Sequence, residues 1–190
     1  EEIAARKLLI DTISKKYNIK VEYKKFFKVD RISSRDFREQ KIYLNEYPSV
    51  IFTSRLAVDY YFSMAKDLRF DIPETTKYFC VSETIALYLQ KHIQFRKRRV
   101  FSSNNSNEEL ADMMKRFEKE PFLLPCSGEG FETLNCFLLE KGFNIKKAVF
   151  YRNESEDLSA VDIESFDMIV VFSPNGVKSQ IGRASCRERV

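Results

Sequence analysis

The stretch Ser49-Val50-Ile51-Phe52-Thr53-Ser54-Arg55-Leu56-Ala57-Val58-Asp59-Tyr60-Tyr61 decides the fold. Ser49–Phe52 is a compact, β-forming apolar run. Two hydroxyl residues follow, and Ser54–Leu68 then carries Leu56, Val58, Tyr60, Tyr61 and Met64, the pattern of a helix. Strand, hydroxyl turn and helix make half of a βαβ unit.

The same unit recurs in both directions. Upstream, Glu1–Tyr17 reads as a helix with a stripe at Ile3, Leu8, Leu9, Ile13 and Tyr17, followed by a short strand at Lys20–Tyr23 and an extended connector at Lys25–Ser33. Ser34–Glu46 is expected to be helical, capped by Ser33 or Ser34. Downstream, strands are expected at Lys77–Val81, Val100–Ser102, Phe122–Pro125, Ala148–Arg152 and Met168–Phe172. The helices between them fall at Glu83–His92, Asn107–Lys119 and Phe131–Lys141, the last closed by Gly142. The strands are apolar runs rather than alternating ones, as expected when both faces of a sheet are covered. The reading is α/β: doubly wound parallel sheets with helices on both faces. Asn153–Asp162 is polar and reads as a linker between two bodies.

Composition narrows the function. With 44% hydrophobic and 32% charged residues the chain has the profile of a globular protein. It contains no apolar run of the roughly 18 residues that span a bilayer and opens without a signal-peptide pattern, so no membrane role is expected. Cys80, Cys126, Cys136 and Cys186 form no CxxC pair and accompany one His, which argues against zinc or a disulfide framework and for a cytoplasmic protein with reduced thiols. The net charge of +4 is too mild for a dedicated nucleic-acid binder. Residues 181–190 read as a non-native tail, because one back-translation resembles a common sequencing adapter in frame. That tail holds three Arg and one Glu, so without it the net charge is +2.

The strand ends carry the chemistry. Thr53-Ser54, Ser82-Glu83-Thr84, Ser102-Ser103-Asn104-Asn105, Cys126-Ser127-Gly128 and Ser173-Pro174-Asn175-Gly176 each follow an apolar run and precede or approach a helix. Ligands of open parallel sheets bind at this edge, where helix N-termini offer free N–H groups to carboxylates and phosphates. Hydroxyls add neutral donors, which suits a ligand rich in carboxylates. Each of these residues can equally serve as a simple helix cap. No GxGxxG, GxxxxGK[ST] or GxSxG is present, and His92 stands in a basic helix end, so dinucleotide, P-loop and Ser-His-Asp chemistry are not indicated.

Four segments in order resemble one family. Val50-Ile51-Phe52-Thr53-Ser54-Arg55-Leu56-Ala57-Val58 is similar to the "IFTS..AV" segment of uroporphyrinogen-III synthases, and Phe122–Ser127 to their "LFPC" strand. Ala148–Arg152 resembles their "VYxT" linker strand and Val170–Gly176 their "FFSPSG". The resemblance covers about residues 1–180 and implies two doubly wound domains joined by two extended linkers. On that map 26–33 and 149–155 are the linkers and 34–148 the inner domain. Residues 1–25 and 156–180 are fragments of an outer domain, which lacks its first strand and last elements, among them the "GPTTA" loop.

The resemblance implies a reaction: cyclisation of hydroxymethylbilane to uroporphyrinogen III, with inversion of ring D and loss of water, in tetrapyrrole (haem) biosynthesis. It proceeds through an azafulvene and a spiro intermediate. No cofactor and no metal are implied, and a monomer is expected. Tyr151 matches the linker Tyr that faces the cleft and is expected to assist departure of the hydroxyl. Thr53, Ser54, Ser82, Thr84, Ser127, Ser173, Asn175 and Gly176 are expected to bind substrate carboxylates. Two positions depart from the family: its "G-x-x-T" Thr aligns with Ile85, with Thr84 one position early, and Asn175 replaces the second Ser of "SPSG". The chain by itself is expected to be inactive. The alternatives are a non-catalytic tetrapyrrole-binding or regulatory module on the same fold, and nucleic-acid binding through Lys91, Arg96, Lys97, Arg98 and Arg99.

Overall fold

The computed structural model describes residues 2–23, 27–94, 96, 98–128, 132–155, 165, 167, 168 and 170. Its centre is a five-stranded parallel sheet of β2 (Ser49–Phe52), β3 (Lys77–Cys80), β4 (Val100–Ser102), β5 (Phe122–Cys126) and β6 (Ile145–Val149), in the order β4-β3-β2-β5-β6. Two further strands, β1 (Phe27–Arg31) and β7 (Tyr151–Ser155), pair as a separate two-stranded sheet.

Successive side chains of a strand point to opposite faces, and here each face builds its own core. Val50, Phe52, Tyr78, Cys80 and Leu123 face α3 (Arg55–Asp67) and α4 (Glu83–Leu89), together with Phe37 of the short α2 (Ser34–Glu39). Ile51, Phe79, Phe122 and Leu124 face α5 (Asn107–Met114) and α6 (Glu132–Glu140). This is the doubly wound arrangement expected from apolar strands. Phe52, Phe79 and Phe122 are fully buried, and cutting any one back to Ala is expected to cost about 3–5 kcal/mol.

Local chemistry fixes the helix ends. Ser54 caps α3, its hydroxyl accepting from the Ala57 N–H at 3.1 Å. At the other end Arg69 takes a left-handed φ of 54°, and the Phe70 N–H reaches back to the Ala65 carbonyl at 2.8 Å. Gly142 does the same after α6 with φ 87°, as its position in the sequence suggests.

Three expectations change, and a fourth lies largely outside the described residues. Lys20–Tyr23 is not a strand, since no described strand lies beside it to complete a ladder. The helix expected over Ser34–Glu46 stops at Glu39, because Lys41 is left-handed at φ 53° and Gln40 turns to a distant strand; Leu44–Glu46 is a 3₁₀ turn. The strand Ala148–Arg152 is two strands, broken at Phe150 between β6 and β7. Of Met168–Phe172 only Met168 and Val170 are described; both are exposed and neither is in a strand.

The chain divides into two compact units, Val29–Glu154 and Glu1–Lys28 with Ser155–Val190. The first holds the five-stranded sheet and all its helices. In the second, the described regular structure is chiefly the helix α1 (Glu2–Tyr17), with Leu8, Ile13 and Tyr17 of its expected stripe exposed.

Candidate functional site

The strand order runs outward in opposite directions from β2 and β5, so the switch point of the sheet lies between these two strands. Their ladder is confined to its start, Ser49 opposite Phe122 and Val50 opposite Leu123. Pro125 explains the stop. The Phe122 N–H donates to Asn144 on the β6 side at 2.8 Å, and N–H groups alternate sides along a strand. Position 125 would therefore donate toward β2, but a proline has no N–H to give. The C-terminal halves of β2 and β5 are not laddered to each other, and Thr53-Ser54 follows one strand while Cys126-Ser127 closes the other.

Tyr151 reaches both ends. It is 5% exposed, its phenol shares a hydrogen bond with the Ser54 side chain, and it lies close enough to Cys126 to feel that thiol. Burial raises the phenol above its ordinary pKa of about 10, and the Ser54 bond pulls it part of the way back. The Tyr151 ring packs on Tyr60 of α3 with centroids 5.1 Å apart, and the Tyr60 hydroxyl donates weakly to the Val29 carbonyl at 3.4 Å.

The backbone just before Tyr151 is clamped. The Gln40 amide donates to the Val149 carbonyl and accepts from the Val149 N–H, both at 2.8 Å. Phe150 donates to the Cys126 carbonyl at 3.0 Å and accepts from the Ile32 N–H at 3.1 Å. Arg31 on β1 pairs with Asp67 at 2.7 Å and with Ser63. Gln40 and Tyr60 were not singled out in the sequence. Both act through contacts far along the chain, and no local pattern signals those.

The other hydroxyl ends differ in kind. Thr53 Oγ1 is buried with no partner among the described residues, as is Asn135 Oδ1 on α6, although buried polar atoms are nearly always satisfied. Ser82 and Thr84 bond each other, 2.9 Å between hydroxyls, and Ser82 makes no side-chain cap bond. Ile85, the position where a Thr was wanted, is buried in the core. Ser127 is buried, and the next residue, Gly128, has φ 84° with Val149 against the site of its absent Cβ at 3.5 Å. The β4 end is consumed by its own structure. The Ser103 N–H goes to the Cys80 carbonyl at 3.0 Å, its hydroxyl to the Val81 carbonyl at 3.1 Å, and the Asn104 N–H to Glu109 at 2.9 Å. Ser106 caps α5. Ser173, Asn175 and Gly176 lie outside the described residues. Among the described residues no cluster of His, Cys, Asp and Glu could hold a metal ion, and no helix is long and apolar enough to cross a membrane.

Comparison with known proteins agrees with this fold. The family profile of uroporphyrinogen-III synthase HemD matches residues 26–187. A crystal structure of uroporphyrinogen-III synthetase from Helicobacter pylori is similar at 22% identity, over 83% of this chain and 69% of that one, with a TM-score of 0.55. A mutant uroporphyrinogen III synthase from Thermus thermophilus is similar at 12% identity, over 80% of this chain and 60% of that one, with a TM-score of 0.56. At these identities the likeness is one of fold, and the chain spans well short of the full length of either structure. No curated protein is similar enough to register as a match.

Proposed function

This chain belongs to the uroporphyrinogen-III synthase family, and on that premise we propose that it contributes to the cyclisation of hydroxymethylbilane to uroporphyrinogen III, with inversion of ring D and loss of water. The observation that carries the reading is Tyr151 meeting both sides of the switch point, hydrogen-bonded to Ser54 after β2 and close to Cys126 at the end of β5. The substrate carries eight carboxylates. Hydroxyls and helix N-termini at the C-terminal strand ends suit such a ligand without the cost of burying opposed fixed charges.

The role proposed for Tyr151 follows from the direction of its bonds. The Ala57 N–H, in the first turn of α3, donates to Ser54 Oγ. A Ser54 hydroxyl that lowers the Tyr151 pKa does so by donating to the phenol oxygen. The phenol proton is then free to point elsewhere, and the chain of donors polarises it. As the substrate's C–O bond breaks, negative charge gathers on the departing oxygen and that proton is drawn to it, so the hydroxyl leaves as water. The raised pKa keeps the phenol protonated at neutral pH. Holding the flexible tetrapyrrole in the geometry for ring closure supplies the rest. Thr53, Ser82, Thr84 and Ser127 are proposed to bind carboxylates, with Ser173, Asn175 and Gly176 contributing from the C-terminal stretch. Hydroxymethylbilane is the one partner this chemistry needs, in a cytoplasmic monomer.

The test is to give freshly prepared hydroxymethylbilane to the gene's full-length product and separate the isomers formed. Dominant type III product supports the synthase. Type I alone, the spontaneous product, removes the catalytic reading and leaves a binding module on the same fold. With type III established, Tyr151→Phe is expected to slow turnover about 100-fold while KM changes little.

A further inference from the structure

A cavity of about 410 Å³ opens at the other end of the strands, a size that accommodates small molecules. It lies among the last turns of α3 and α4 and the approaches to β3 and β4, within residues 62–99, at the opposite end of α3 from Ser54. One wall is flat and aromatic: the His92 ring stacks on Phe62, centroids 4.7 Å apart and planes 8° from parallel. His92 Nε2 is held 2.9 Å from Asp59, which also accepts from the Tyr88 hydroxyl, 2.8 and 3.0 Å from its two oxygens, so the imidazole is fixed in place.

The polar groups here are not balanced among themselves. Tyr78 lines the cavity and is 2% exposed. A buried tyrosine hydroxyl ordinarily finds a partner. Burial pushes its pKa up to about 12, and the Arg99 charge opposes that rise. Arg96 is engaged by Glu74 at 3.3 Å. Arg99 and Lys66 line the same cavity with no carboxylate partner among the described residues, against one remaining acid, Asp71. A positive surplus, a tyrosine and a stacked aromatic pair therefore line one space.

We infer that this cavity binds a small planar organic anion, a single ring bearing a carboxylate, with the ring laid against the Phe62–His92 pair. Arg99 and Lys66 hold the carboxylate, and Tyr78 donates a hydrogen bond to it. The site is separate from the proposed tetrapyrrole edge, and its occupant is a different, smaller molecule.

Benzoate is the probe, titrated into the chain and followed by backbone amide NMR shifts. Saturable shifts confined to residues 62–99 are expected. Arg99→Gln should weaken binding about tenfold and Lys66→Gln severalfold, as loss of a charge-assisted bond implies. Tyr78→Phe, which keeps the buried ring, should weaken it about threefold. Shifts that do not saturate, shifts centred on Ser54 and Ser127, or an Arg99→Gln protein that binds benzoate as well as the parent would overturn the assignment. Acetate or inorganic phosphate binding as tightly as benzoate would overturn the ring requirement, because charge alone would then account for the site.

Discussion

The two ends of the five-stranded sheet use their polar groups in opposite ways. Where β2, β3 and β5 begin, Lys77 Nζ contacts both carboxylate oxygens of Glu120 at 2.9 Å, and Ser49 donates to the same carboxylate at 2.9 Å. The Lys77 ammonium also sits 4.8 Å from the Phe117 ring centre. Where the strands end, Thr53 Oγ1 has no partner among the described residues and the β2–β5 ladder has already stopped. Paired groups at the first end tie three chain segments together. The Thr53 hydroxyl at the second end, with no partner among the described residues, lowers stability and stays available to a ligand. Within one fold, the difference separates hydroxyls that hold the sheet from hydroxyls that can hold a ligand, and the β4 end, whose Ser103 is fully engaged, falls with the former.

Alkali is the strongest probe, because β3 carries a titratable group toward each end. Burial pushes Cys80 up to about 12 from 9.0 and Tyr78 up to about 12 from 10.0. Both are raised, so the folded state favours the protonated form. Their contribution is fully present below pH 9 and is lost as pH climbs toward 12. By pH 12 the loss through Cys80 alone is expected to approach about 4 kcal/mol as an upper bound. Urea unfolding at a series of pH values should show a plateau and then a fall, and Cys80→Ala should flatten it. A Cys80→Ala curve as steep as the parent's would mean the thiol does not carry the effect.

Next in size is Glu120→Ala. It strands a largely buried Lys77, whose side chain is 21% exposed, and should cost about 2–3 kcal/mol in urea unfolding. Pairing it with Lys77→Met should recover most of that loss. If Glu120→Ala unfolds like the parent, the two ends of the sheet do not differ as described.

Ser54→Ala tests the boundary between structure and function. Losing the α3 cap should cost about 1 kcal/mol of stability, and in the full-length enzyme it should also lower turnover, because the Tyr151 phenol loses its donor. A stability loss with unchanged turnover would reduce Ser54 to a cap.

The smallest effects have the opposite sign. Thr53→Val removes a buried hydroxyl that is paired with nothing described, and should be neutral or stabilising by up to about 1 kcal/mol. Pro125→Ala returns an N–H on the β2 side and is expected to add about 0.5–1 kcal/mol while impairing substrate binding. A clear destabilisation of Thr53→Val, read as a fall in melting temperature, would show that its hydroxyl is satisfied.

Much of this could be read from residue order alone. Ser49–Phe52 and Phe122–Leu124 announce buried strands by apolar content, and Ser54 and Gly142 mark helix ends by chemistry that acts within a few residues. Those features depend on local sterics and hydrogen bonding, so the chain displays them directly. The misread segments depend on partners far along the chain. Ala148–Arg152 is one apolar run, yet it breaks at Phe150, whose backbone is bonded to Cys126 and Ile32. The helix after Ser33 ends early because Gln40 is recruited by Val149, 109 residues away. Sequence by itself determined that this is a parallel α/β protein with hydroxyls at its strand ends, because strand and helix periods and caps are short-range properties. Only the tertiary structure decided which strands are neighbours, that Pro125 stops a ladder at the switch point, and that Tyr151 meets Ser54, because strand order is set by burying both faces of the sheet at once.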